Sequence, residues 1–171
     1  MEGFLDPNEV LKKLKLKEGM KAADFGSGSG GWAIPLAKIL EMGKVYALDV
    51  SEEALSALKS KAQTEKVSNI ETIQVDVEKG TNLPDEMADL VLLTNVLFEC
   101  YDKHGVMAEA KRVLKPGGKM LIVDWIKDSP LTGEIEKVSF ENIKYFAKEM
   151  KLKEESEFLA GSYHLALILV K

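Results

Sequence analysis

Short apolar runs alternate with amphipathic stretches along this chain, and the alternation predicts strands interleaved with helices. The runs Lys21-Ala22-Ala23-Asp24-Phe25, Lys44 to Asp49, Ile70 to Val75, Asp89 to Val96 and Met120 to Trp125 have strand length. Between them, Trp32 to Leu40, the stretch opened by Ser51-Glu52-Glu53, His104 to Leu114 and Ser139 to Met150 carry their apolar residues at helical spacing. The second of these places Ala54, Leu55, Leu58 and Ala62 on one face. Pro7 to Lys15 reads as a lead-in helix with Asp6 as its N-cap. Val77 to Met87 is a connector, broken by Gly80 and Pro84, where a further helix could have stood. The chain finishes as a hairpin: Glu154 to Leu159, a turn at Ala160-Gly161-Ser162, then Tyr163 to Val170. These elements define an α/β fold with helices on both faces of one sheet.

The chemistry concentrates at the ends of the strands. Ala23-Asp24-Phe25-Gly26-Ser27-Gly28-Ser29-Gly30-Gly31 leaves the first strand and enters a helix. Glycines there let the backbone turn sharply and let a ligand approach main-chain N–H groups without meeting a Cβ. Positions 26, 28 and 31 also satisfy Gly-x-Gly-x-x-Gly, so a nicotinamide-dinucleotide fold competes at this point. Asp49, ending the second strand, can accept hydrogen bonds from both hydroxyls of a ribose in either reading. Asp24 and Asp76 separate the two. With Asp49 they put three carboxylates at the tips of successive strands, an arrangement that suits a ligand with an ammonium, a sulfonium and a ribose but repels a pyrophosphate.

At these residues the chain resembles the class I S-adenosylmethionine-dependent methyltransferases. Asp24-Phe25-Gly26-Ser27-Gly28-Ser29-Gly30 is similar to the family's first motif, Asp49 to its ribose-binding acid, and Asp76 to the acid facing the adenine amino group. Asp89-Leu90-Val91-Leu92-Leu93-Thr94-Asn95-Val96 resembles the fourth-strand motif, and Val113-Leu114-Lys115-Pro116-Gly117-Gly118-Lys119 the turn into strand five. The order and spacing of these pieces are more specific than any one of them, and the nearer resemblance is to small ubiquinone- and menaquinone-biosynthesis-like members. The resemblance implies a three-layer Rossmann-like sheet of seven strands in order 3-2-1-4-5-7-6, strand seven antiparallel. It implies S-adenosylmethionine as cofactor, contacted by Asp24, Gly26, Ser27, Gly28, Gly30, Asp49, Val50, Asp76, Val77 and Asn95.

Composition narrows the partners. A chain of 171 residues suits one domain over residues 1–171, and 46% apolar residues can fill its core. A net charge of −5, with Arg112 the sole arginine, argues against a broad nucleic-acid-binding surface and favours a small-molecule methyl acceptor. No apolar run has membrane-spanning length, and no basic segment with an apolar core opens the chain, so a cytoplasmic location is expected. A homodimer is compatible with these features. The single cysteine, Cys100, excludes an intrachain disulfide and any multi-cysteine metal site, and no metal is expected.

Methyl transfer from a sulfonium needs alignment and exclusion of water, with a general base only if the attacking atom must lose a proton. No residue declares itself catalytic. Loops after strands four and five and the closing hairpin supply the candidate acceptor wall: Leu97, Phe98, Glu99, Tyr101, Asp124, Trp125, Tyr163 and His164. Each has a plainer reading as core, cap or surface residue. Strand direction brings Tyr163 and His164 towards Asp124 and Trp125. Trp32 reads as packing at its helix start, Cys100 as a buried small residue and His104 as a surface residue opening a helix. The alternative function is a cofactor-binding module without catalysis, or a partner subunit.

Overall fold

The computed structural model describes residues 4–126 and 137–171. Its elements run α1 Pro7–Leu11, β1 Lys21–Phe25, α2 Ala33–Ile39, β2 Lys44–Asp49, α3 Glu52–Thr64, β3 Ile70–Gln74, a 3-10 turn Val77–Lys79, β4 Ala88–Thr94, α4 Lys103–Val113, β5 Leu114–Trp125, α5 Phe140–Glu149, β6 Lys153–Ala160 and β7 His164–Val170. The strands form one sheet in the order β3-β2-β1-β4-β5-β7-β6, with β7 antiparallel to both neighbours, as the resemblance implies.

Helix starts follow local chemistry. Asp6, Ser51, Asp102 and Ser139 each accept a backbone N–H from the first turn of α1, α3, α4 and α5. In α3, Leu55, Leu58 and Ala62 are buried, while Ala54 lies at the margin. Asp102 sets α4 one residue ahead of the start expected at His104. Two other boundaries differ. The strand expected from Met120 begins at Leu114, which pairs with Ala88; the register then jumps to Leu90 and Lys119, so Lys115 to Gly118 bulge from the ladder. The hairpin turn falls on Gly161 to Tyr163, one residue later than expected, because Ala160 still pairs with His164.

Side-chain alternation divides the core into two layers. Ala23, Phe25, Val91, Leu93, Met120 and Ile122 face α4 and α5, whereas Ala22, Leu90, Leu92, Leu121, Val123, Ala166 and Ile168 face α1 and α2. Asp24, Thr94, Trp125 and His164 continue the second series, so four polar or aromatic groups close the α1–α2 face at the carboxyl ends of β1, β4 and β5. The connector before β4 lacks regular structure beyond its 3-10 turn. It is held from α4, where Glu109 accepts from the Thr81 N–H and hydroxyl, and Arg112 donates to the Leu83 carbonyl.

Candidate functional site

The carboxyl ends of β1, β2, β3 and β4 surround a cleft of about 240 Å³ lined by Gly26, Asp49, Val50, Val75, Asp76, Val77, Glu78, Val96, Glu99 and Cys100. Two glycines are required by contact as well as by conformation. Gly26 has φ +73°, and a Cβ there would lie 2.6 Å from Val96 Cγ2; Gly30 has φ +91°, and its Cβ would lie 2.9 Å from Leu58.

Four of the loop's amides are engaged within the protein, which narrows the set that can face a ligand. Gly26 and Ser27 donate to the Leu48 carbonyl at 2.8 and 2.9 Å, Gly28 donates to Asp49 Oδ2 at 2.7 Å, and Gly30 donates to the Ser27 carbonyl at 3.0 Å. Unpartnered groups are mostly oxygens instead. Both carboxyl oxygens of Asp24, Ser27 Oγ, Thr94 Oγ1 and Asn95 Oδ1 are buried without a hydrogen-bond partner. Asp24 is 0% exposed, and burial, then the charge of Asp49, pushes its carboxyl up to about 8. Asn95 reaches its position through a left-handed backbone at φ +51°, its own N–H held by the Val123 carbonyl.

Asp49 sits at the centre of the cleft wall. Its Oδ1 accepts the Ser51 N–H at 2.9 Å and its Oδ2 the Gly28 N–H, which fixes the carboxylate and leaves its remaining lone pairs for a ligand. Asp76 caps the 3-10 turn through Glu78 N–H and pairs with Lys79; the hydrogen bond from Lys79 holds its carboxyl below the usual range. Val77 is buried beneath the cleft, whereas Val50 is 63% exposed at its rim. Four carboxylates line this cleft, so it favours donors and cations over phosphates.

The expected acceptor wall splits into groups with different surroundings. Leu97 is fully buried in the core under α4 and α5, so its side chain packs rather than lining the opening. Asp124 is also fully buried and accepts from Trp125 N–H at 2.8 Å and Phe98 N–H at 3.3 Å, clamping the loop after β4 to the end of β5. Burial pushes its carboxyl up to about 6. Phe98 is half-buried, Glu99 is exposed at the cleft, and Tyr101 lies on the surface. Trp125 and His164 are register partners with ring centroids 3.9 Å apart. His164 is 4% exposed, its Nε2 has no partner, and burial pushes its imidazole down to about 4. Tyr163 turns the hairpin beside them, its carbonyl accepting the Ile126 N–H.

Trp32 packs into the α1–α2 core layer, and His104 meets Phe146 edge-on at the surface. Cys100 borders the cleft, but its thiol donates to the Val96 carbonyl and burial pushes it up to about 12, which makes it a poor nucleophile. Sequence reasoning did not single out Thr94 or Glu78. Thr94 was detectable as the polar end of an apolar strand on the Asp24 face. Glu78 enters the site through the turn capped by Asp76, and no sequence pattern marks it.

A Rossmann-like sheet with an acceptor-rich cleft at its switch point defines a protein that binds a cationic nucleoside. A family profile described as a methyltransferase domain matches residues 16–161. A demethylmenaquinone methyltransferase of Staphylococcus haemolyticus is 33% identical over 162 residues, 90% of this chain and 64% of its own length. One from a Geobacillus species is 27% identical over 156 residues, 91% of this chain and 63% of the relative. The chain thus spans about half to two thirds of the length of such relatives. The crystal structure of a SAM dependent methyltransferase from Aquifex aeolicus superposes with a TM-score of 0.87 at 30% identity, covering 97% of this chain and 89% of that one. This chain belongs to the methyltransferase domain family, as a class I S-adenosylmethionine-dependent methyltransferase, and is similar in sequence to methyltransferases named for demethylmenaquinone. S-adenosylmethionine is the family's cofactor, and the unpartnered oxygens fit its ammonium and hydroxyl donors.

Proposed function

We propose that this protein transfers a methyl group from S-adenosylmethionine to a small planar acceptor by in-line displacement, without nucleic acid as substrate. The observation that carries this reading is the set of buried oxygens on Asp24, Ser27, Thr94 and Asn95, which lack donors and lie within two residues along the chain of Gly26 and Val96, two residues that line the carboxylate-bearing cleft. When bound, the cofactor supplies a methyl carbon made electrophilic by its sulfonium. Asp49 would accept from the ribose hydroxyls, Asp76 and Val77 would border the adenine, and Gly26 and Val50 would line the nucleoside's path. The Asp24 end would receive the ammonium.

Acceptor binding would fall to the ends of β5 and β7. The Trp125–His164 pair offers an aromatic face with an unpartnered ring nitrogen, Tyr163 and Phe98 flank it, and Glu99 stands at the opening. Asp124 acts indirectly, holding Phe98 and Trp125 at fixed spacing. Relatives named for demethylmenaquinone make a reduced naphthoquinone the first acceptor to try.

The test is a binding titration with S-adenosylmethionine, S-adenosylhomocysteine and NAD, followed by methyl transfer from labelled cofactor to reduced short-chain demethylmenaquinone and to bulk RNA. Selective binding of the two adenosyl ligands with transfer to the small acceptor is expected. Preference for NAD, or faster labelling of RNA, overturns the reading. Cofactor binding with no transfer to any small-molecule pool would leave a binding module.

A further inference from the structure

Asp24 is buried beyond the reach of water, and neither carboxyl oxygen accepts a hydrogen bond. Its register partners are Ala47 of β2 and Leu92 of β4, whose side chains carry no donor. The Gly26, Ser27 and Gly28 N–H groups that follow it in the loop point to Leu48 and Asp49 instead. The charged group acting on it is Asp49, a second carboxylate already fixed by Gly28 and Ser51.

An isolated anion in such a place is costly, and the usual outcome is that the group takes up a proton. The cost is reversed by a cation delivered to the same place, because a buried pair then replaces a buried lone charge. Ser27, three residues on from Asp24, and Thr94, two residues beyond its register partner Leu92 on the same face of the sheet, carry two further buried hydroxyls without partners. Each can rotate to donate to a carboxylate or accept from an ammonium, so the surroundings serve both states.

We propose that Asp24 is a proton-exchanging counter-ion: the free protein holds it as the neutral acid, and the α-ammonium of an incoming nucleoside cofactor displaces its proton to solvent. The inference rests on the cofactor reading above and adds a linkage to it. The exchange balances: a carboxylic acid and an ammonium become a carboxylate–ammonium pair, and one proton leaves to the buffer. A carboxyl raised to about 8 in the free protein agrees with this. Nucleosides lacking the ammonium bind without the exchange, which makes Asp24 a specificity residue as well as a charge partner.

Calorimetric titration of the intact protein with S-adenosylhomocysteine, at about pH 7 in buffers of differing ionisation enthalpy, counts the protons. About one proton released per ligand is expected, with affinity rising about tenfold from about pH 6 to about pH 7, below the range in which the ligand's own amino group titrates. The Asp24→Asn variant should lose both the release and the pH slope. 5′-Methylthioadenosine, which keeps the nucleoside and lacks the ammonium, should release no proton from the wild type. Binding of S-adenosylhomocysteine with buffer-independent heat overturns the exchange while leaving the cofactor reading intact. Equal release with 5′-methylthioadenosine, or undiminished release from Asp24→Asn, also overturns it. Failure to bind either nucleoside overturns the exchange and the cofactor reading together.

Discussion

Two carboxylates of this protein sit in opposite circumstances. Glu109, on α4, accepts from Thr81 at 2.6 and 2.8 Å and from Arg112 Nε and Nη2 at 2.7 Å each, and Arg112 is further paired with Asp85. The Arg112 hydrogen bonds, first among several causes, pull its carboxyl down to about 2. Asp24 has no donor at all and is pushed up to about 8. The first arrangement stabilises the fold by pinning the connector before β4. The second costs stability in the free protein, and under the proposed cofactor binding a ligand's cation would relieve that cost.

The sign of each effect follows from linkage. Glu109 titrates lower in the folded chain than its ordinary 4.5, so its contribution is present above that value and is lost as pH falls towards about 2. Asp24 titrates above its ordinary 3.8, so the folded chain binds the extra proton, and stability declines as pH rises from there to about 8. The largest expected effect is therefore a gain: Asp24→Asn should raise unfolding free energy by about 2–4 kcal/mol near pH 7, with the gain shrinking towards zero near pH 4. Urea titrations of both proteins at several pH values measure it. A difference that does not vary with pH would show that Asp24 is ionised in the fold.

Breaking the other site should do the reverse. Arg112→Met keeps the aliphatic stem but leaves Glu109, 14% exposed, with Thr81 alone, and should cost about 2–3 kcal/mol after allowance for solvent screening of the half-exposed guanidinium. The loss should diminish in acid as Glu109 protonates. Cofactor affinity, read by calorimetry, should be unchanged, since the connector network lies apart from Asp49.

The two carboxylates also differ in how far the sequence reveals them. Asp24, Asp49 and Asp76 end apolar runs, so alternation and the glycine spacing place them on one edge of a sheet before any coordinates are known. The strand order follows from the resemblance and is matched by the structure. The hydrogen-bond state at that edge is not legible: whether loop amides serve a ligand or the Leu48 carbonyl depends on how β2 aligns with β1. Glu109 and Thr81 lie 28 residues apart, and a lone arginine in a sequence gives no sign of a pinning role. Asp124 shows a third limit. It ends a strand at the active edge like the others, yet its oxygens are taken by Phe98 and Trp125 N–H groups.

Within the cleft, Asp49 sharpens the contrast because its carboxylate is both structurally held and open to ligand. Asp49→Ala should weaken S-adenosylhomocysteine binding by about 1.5–3 kcal/mol, the range for hydrogen bonds to a charged group. Calorimetry at a single pH is sufficient. Equal affinity in the variant would remove Asp49 from the ribose site.

The smallest effect is expected at the acceptor wall, where His164 shares with Asp24 an unpartnered buried atom but lies at the end of β7. Burial holds its imidazole neutral, down to about 4, so near pH 7 it can offer a hydrogen bond and a stacking face without charge. His164→Ala should raise the KM for reduced short-chain demethylmenaquinone by about fivefold, roughly 1 kcal/mol, the worth of one neutral hydrogen bond. S-adenosylhomocysteine affinity should hardly move, because the nucleoside cleft is lined by β1 to β4 and the loops that follow them. His164→Phe keeps an aromatic ring against Trp125 and separates the two contributions: a KM restored to wild type assigns the effect to stacking, and one that stays high assigns it to the ring nitrogen. A KM that titrates near the ordinary imidazole value of 6.5 would mean that His164 is solvated during turnover, and a KM unchanged in both variants would move the acceptor away from β7.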